Sequence, residues 1–202
     1  MPLLDHFHPP LHGPRRPEGF YHAWATFVAQ QLNQQTLPPG YFAEPEIRVD
    51  FAHLDSCEVR VYQDLGGAEL RAAIELVSPA NKDREGNRRT FAARCAGHLK
   101  HGLGLMIVDV VTACSADLNA DLFDALEVNG RQTAWASPTG LYAVAYRAVT
   151  GPEAPRVEVW PEALVLGAAL PVLPLWLALD LCVPVRLEES YLATCRSLRI
   201  PA

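Results

Sequence analysis

At 202 residues and 22.2 kDa, with 50% hydrophobic and 20% charged residues, the chain has a globular composition and the length to enclose a sizeable core. Its formal net charge of −6 and pI near 5.6 exclude a whole-molecule field that draws it to DNA or to an anionic membrane. Five widely spaced cysteines with no CxxC pair fit a reducing compartment, and a cytoplasmic location is expected.

The first 19 residues are rich in Pro and His (His6, His8, His12) and predict a flexible arm. They hold no apolar run and carry Asp5, so a secretory signal is not expected. From Phe20 to Gln35, Phe20, Ala23, Trp24, Phe27, Val28 and Leu32 recur on one face, predicting a helix that Pro38-Pro39-Gly40 stops. Glu46 to Asp50 and Cys57 to Tyr62 alternate apolar with charged residues, as half-buried strands do. Asp64-Leu65-Gly66-Gly67 supplies a turn, so the strand before it and the strand after it, about Leu70 to Ser78, form a hairpin.

A helix is predicted from about Asn87 to His101, with Phe91, Cys95 and Leu99 inward and Gly102 as its cap. Leu105 to Val111 is a second continuously apolar strand. Strand, helix and strand, with both strands apolar on both faces, predict a parallel crossover. Further on come a short helix over 117–126, an antiparallel pair over 141–149 and 156–160, and a helix over 187–198. Residues 163–179 carry no charge, but Gly167, Pro171 and Pro174 interrupt them. They read as an extended segment lying across the core, and no membrane span is expected. The order is αβββαβ over residues 20–112, followed by an α+β extension over 113–202, all in one domain.

Glu75 sits within the apolar stretch AAIELVSPANK, and a carboxylate buried in a strand needs a partner. Two readings stand side by side. Glu75 is a structural ion-pair partner of Arg71, Lys82 or Arg88, or it is one corner of a metal site. In the second reading, Asp50 and Asp55 supply further oxygen ligands for Mg²⁺ and Lys82 assists catalysis. Residues 82–101 hold six Lys or Arg against two Asp or Glu, so Arg88, Arg89 and Lys100 are candidates for binding a phosphate backbone; a solvated helix face explains the same residues. His98 and His101, at i, i+3, have no third zinc ligand at a matching spacing.

The stretches MPLLDHFHPPL, LPPGY, IELVSPANK, LMIVDVV, VEVWP and LEESYLATCRSLRI resemble a bacterial domain-of-unknown-function family, number 4058, over nearly the whole chain. More remotely, the Glu75 strand is similar to that of the Uma-type putative endonucleases, and through them to the PD-(D/E)xK nuclease fold. The resemblance implies a restriction-endonuclease-like core with a mixed sheet. In that fold an aspartate and the E-x-K of the following strand bind Mg²⁺ and cleave a phosphodiester, DNA included. Glu75 matches the glutamate, and Asp50 or Asp55 would be the aspartate. Val77 stands where the lysine belongs, and Lys82 would replace it from beyond the turn. The other implied outcome is a scaffold that has lost catalysis and binds nucleic acid or a protein partner.

Overall fold

The computed structural model describes residues 2–11, 17–48, 56–127, 135–149 and 156–201. Helix α1 (Pro17–Gln31) buries Phe20, Tyr21, Trp24, Ala25 and Val28 and continues into a π-helical turn over Leu32–Thr36. The Asn33 amide at that turn clasps Ala43, donating from Nδ2 to its carbonyl (2.8 Å) and accepting from its N–H at Oδ1 (2.7 Å). That contact fixes where strand β1 (Tyr41–Arg48) begins.

Strands β2 (Ser56–Asp64) and β3 (Ala68–Leu76) complete an antiparallel meander with β1. Gly66, at φ +85, makes the turn between them, and its N–H donates to Asp64 Oδ1 at 3.2 Å. A short helix α2 (Pro79–Lys82) follows, started by Asn81 Oδ1, which accepts from Ser78 N–H at 2.8 Å and from Ser78 Oγ–H at 3.1 Å. Helix α3 (Glu85–Lys100) ends at Gly102, whose φ of +75 suits glycine, and the chain enters β4 (Gly104–Asp109) parallel to β3. The expected αβββαβ order and the parallel crossover are therefore present.

Helix α4 (Leu118–Leu126) is N-capped by the Asp117 carboxylate, which accepts from Asn119 and Ala120 N–H. Strands β5 (Tyr142–Val149) and β6 (Arg156–Ala163) extend the sheet antiparallel to β4, giving a six-stranded mixed sheet in sequence order β1 to β6. The protein is thus mixed α/β with five helices among the described residues. Residues 163–179 form no helix. From the end of β6 they run into and include β7 (Val172–Ala178), which pairs with β8 (Leu181–Arg186) as a separate hairpin laid against β3, β4 and β5. No helix among the described residues is long and apolar enough to cross a membrane. Helix α5 (Leu187–Ser197) closes on α1, with Trp24 Nε1–H donating to Ser190 Oγ at 3.1 Å.

Side-chain alternation assigns the two faces of the sheet. Leu76 and Cys57 oppose each other and look toward α1, where the Cys57 thiol donates to the Tyr21 carbonyl at 3.2 Å. Glu75 looks the other way, toward α3. The arm is also not free: residues 2–11 lie on the body, with Leu3, His6 and Phe7 buried. The Leu3 N–H donates to the Ala168 carbonyl at 2.8 Å and the Gly167 N–H returns to the Leu3 carbonyl at 2.9 Å. Apolar residues spaced among the prolines give this segment a face to bury, which its composition alone does not reveal.

Candidate metal centre

Glu75 is only 1% exposed, and directly across the β2–β3 ladder stands Glu58, 2% exposed. The register that brings them together depends on a bulge. Tyr62 opposes Leu70 but Val61 opposes Ala72, leaving Arg71 as the extra residue. Without that one-residue shift Glu58 would oppose Ile74 and lie on the opposite face from Glu75. Helix α3 then lays Arg94 and His98, one turn apart, over the two carboxylates.

Arg94 grips Glu75 with both arms of its fork, Nε–H to Oε1 at 2.7 Å and Nη2–H to Oε2 at 2.8 Å. His98 Nε2 lies 3.2 Å from Glu58 Oε1 and 3.9 Å from Glu75 Oε1. Arg60 holds the other oxygen of Glu58 at 3.1 Å and reaches Glu46 with its second arm. Neither Glu58 Oε1 nor His98 Nε2 makes a hydrogen bond of ordinary geometry, although both atoms are buried. Among the described residues, Glu58, Glu75 and His98 form a group of three whose donor atoms all lie within 4.8 Å of one another, and this group can hold a metal ion.

The electrostatics match this geometry. Burial pushes the Glu75 carboxyl up, and the Arg94 guanidinium only partly restores it. Burial also acts on Glu58, but His98 and Arg60, which face its two oxygens, outweigh it and hold that carboxyl below its ordinary value. The two buried carboxylates, Glu58 and Glu75, are each held by a guanidinium, Arg60 and Arg94.

The other candidates fall elsewhere. Lys82 is not beside Glu75. The short α2 turns it inward, and its Nζ donates to Asp109 Oδ2 at 2.8 Å with both side chains fully buried. Asp109 Oδ1 also accepts from Val111 N–H at 3.0 Å. Burial pushes the Asp109 carboxyl up to about 6, with Lys82 and the Val111 N–H pulling it down. Neither Arg71 nor Arg88 pairs with Glu75. Arg71, on the bulge, binds Gln63 and Glu69, and Arg88 meets Asp121 at 3.3 Å. Arg89 pairs with Glu85 one turn earlier, and Lys100 donates to the Ala125 carbonyl at 3.2 Å. Asp50 and Asp55 lie outside the described residues. A cleft of about 460 Å³ opens beyond β3, lined by Tyr21, Cys57, Ser78, Asn87 and Cys114 among others, but not by Glu58, Glu75 or His98.

Sequence reasoning missed Glu58, Arg94 and the role of His98. The i, i+4 pair Arg94 and His98 on a helix after a strand with a buried glutamate was the available signal. Glu58 had none, because its facing depends on the bulge. No family model, curated protein or solved structure matches the chain.

Proposed function

We propose that this protein is a metal-binding domain on the nuclease-like scaffold its sequence resembles, and that its reaction is metal-dependent cleavage of a phosphodiester such as DNA. The observation that carries this reading is Glu58 directly opposite Glu75, with His98 as third donor. In the resembled fold the metal carboxylates come from two successive strands, and here glutamates occupy both. The αβββαβ order from α1 to β4 supports the same reading. The ion implied by the resemblance is Mg²⁺, which carboxylate oxygens suit. Bound at these residues, a divalent ion supplies Lewis acidity and lowers the pKa of a coordinated water. Arg94 brings from α3 the cation that Val77 does not supply, placed to offset developing negative charge.

One observation favours a second reading, a nuclease-like module that binds without turnover. Both Glu75 oxygens already accept from Arg94, and Lys82 is buried on Asp109. The experiment is a cleavage panel of single- and double-stranded DNA and bis-p-nitrophenyl phosphate, with Mg²⁺ and with Mn²⁺, for wild type and Glu75→Gln. Metal-dependent turnover that disappears in a folded Glu75→Gln supports the hydrolytic reading. An absence of turnover on every substrate transfers the assignment to the binding module.

A further inference from the structure

We propose that the Glu58–Glu75–His98 centre takes a first-row transition ion of the Zn²⁺ type in preference to Mg²⁺, and that this ion displaces Arg94 Nε from Glu75 Oε1. This inference rests on the reading that these three residues form a metal centre. It departs from that reading in the ion it assigns and in giving Arg94 a role in admitting it.

The donor set argues for the ion. Mg²⁺ demands oxygen ligands in near-octahedral array and keeps several waters, whereas imidazole suits Zn²⁺ and its neighbours. Here one of three donors is an imidazole nitrogen, and the two carboxylates are 1% and 2% exposed, which leaves little space for a retinue of waters. Zn²⁺ works with four ligands at roughly 2.0–2.2 Å, which sets donor–donor separations of roughly 3.4 Å in a tetrahedron. His98 Nε2 lies at 3.2 Å from Glu58 Oε1 and 3.9 Å from Glu75 Oε1, so two edges of that figure are nearly formed. The two donor atoms at the short edge are both buried and face each other without the geometry of an ordinary hydrogen bond. A poorly aligned buried contact gains less than a full hydrogen bond, and a shared metal ion satisfies both atoms at once.

The role of Arg94 follows from which atoms it touches. Its Nε–H occupies Glu75 Oε1, the oxygen nearer His98, while its Nη2–H holds Oε2. An ion therefore has to displace one hydrogen bond and can leave the other in place to orient the carboxylate. The Arg94 side chain is 24% exposed, so its guanidinium has a route toward solvent, and its stacking on Phe91 at 5.3 Å is loose enough to yield. On the far side Arg60 fixes Glu58 through the oxygen that the ion does not need. Arg94 is thus a positioning residue that competes with the ion for one atom and steers the ligand through another.

The experiment uses the full chain without an affinity tag, stripped with EDTA. Thermal melts and titration calorimetry are recorded with Zn²⁺, Mn²⁺ and Mg²⁺, and Co²⁺ is added as an optical stand-in for Zn²⁺. The expected result is one Zn²⁺ per chain, a midpoint raised by several degrees, a smaller rise with Mn²⁺ and none with Mg²⁺. Co²⁺ should show tetrahedral visible bands without the intense thiolate transition that binding at the five cysteines would give. His98→Gln and Glu58→Gln should each weaken binding at least tenfold. Arg94→Gln keeps all three donors and should bind Zn²⁺ more tightly than wild type while melting lower without it.

The proposal is overturned by equal shifts with Mg²⁺ and Zn²⁺, by thiolate bands with Co²⁺, or by binding that survives both donor substitutions. Unchanged or weaker Zn²⁺ affinity in Arg94→Gln overturns the displacement, and that variant decides the matter even if the donor variants fail to fold. One-site Zn²⁺ binding without phosphodiester turnover leaves this inference standing and removes the hydrolytic reading. Mg²⁺-dependent turnover that needs Glu75 but is indifferent to His98→Gln does the reverse.

Discussion

At the scale of single residues, the buried charges of this protein come in matched sets, and their removal is expected to be costly in proportion to burial. Lys82 and Asp109 are the cleanest case, an ion pair with no exposed side-chain surface. Lys82→Met strands a carboxylate whose remaining hydrogen bond is to Val111 N–H, and a loss of about 3–5 kcal/mol is expected on urea unfolding. Adding Asp109→Asn should recover most of that loss, because the stranded charge is gone. Additive losses would mean that packing, not charge, sets the cost. His6 gives a prediction in pH. Burial holds its imidazole down to about 4, against a slight upward pull from Asp5, and its Nε2 lies 2.8 Å from the Tyr191 hydroxyl. A base whose folded pKa is lowered favours the folded state in its neutral form. Its contribution is complete above about pH 6.5 and is lost as pH falls toward about 4. The midpoint difference between wild type and His6→Phe should therefore be flat above pH 7 and decline between pH 6.5 and 4. A difference independent of pH would mean that this imidazole titrates alike in both states.

At the scale of elements, small backbone features decide which side chains meet. Gly104 opens β4 directly beneath β7, and a Cβ there would come within 1.8 Å of the Trp176 carbonyl oxygen. The obstacle is backbone, so it cannot rotate away. Gly104→Ala should displace the β7–β8 hairpin and cost at least about 3 kcal/mol by thermal unfolding, with a change in Trp176 fluorescence. The proline placements agree with edges rather than with a central strand. Pro45 lies in β1 and Pro161 in β6, the two outer strands, and Pro174 faces Pro184 within the small hairpin. Much of this was legible in the sequence. The helical face through Phe20 and Trp24, the Gly66 turn, the two continuously apolar strands and the Gly102 cap are local signals, and each lies where its chemistry demands. The β7–β8 hairpin was not legible as strands, because its prolines interrupt the alternation that marks one. The candidate site was legible only at Glu75. Its partners arrive from β2 and α3, and the pairing hinges on the extra residue Arg71, which no periodicity in either strand announces. Lys82 was misplaced for a related reason: residues close in sequence to Glu75 are carried past it by the turn after β3.

At the scale of the whole molecule, the two ends of the chain are fastened to each other, and that fastening should decide how cooperatively the protein unfolds. His6 stacks on Phe20 with ring centroids 3.9 Å apart, and Phe20 also meets Trp24 and Tyr191 at 5.6 Å each. The Leu4 N–H donates to the Tyr191 hydroxyl at 2.9 Å, so one phenol on α5 ties both the first residues and, through Phe20, helix α1. The backbone ladder between Leu3 and residues 167–168 adds a tie to the segment that leads into β7. Burying Leu3 and Phe7 contributes about 1.5–3 kcal/mol each before the cost of ordering the segment is subtracted. Removing residues 1–11 should therefore lower stability by about 2–4 kcal/mol, because part of the apolar gain is offset by restored chain freedom. It should also expose Tyr191, whose phenol burial now pushes well above its ordinary value, so that titration of this tyrosine moves down toward that value. Urea unfolding followed by fluorescence and by far-ultraviolet dichroism distinguishes two outcomes. Coincident curves at a lower midpoint mean that the segment strengthens one cooperative unit. Curves that separate, with the aromatic signal changing first, mean that α1 and α5 come apart before the sheet, and that the chain's first residues hold the helical layer to the six strands.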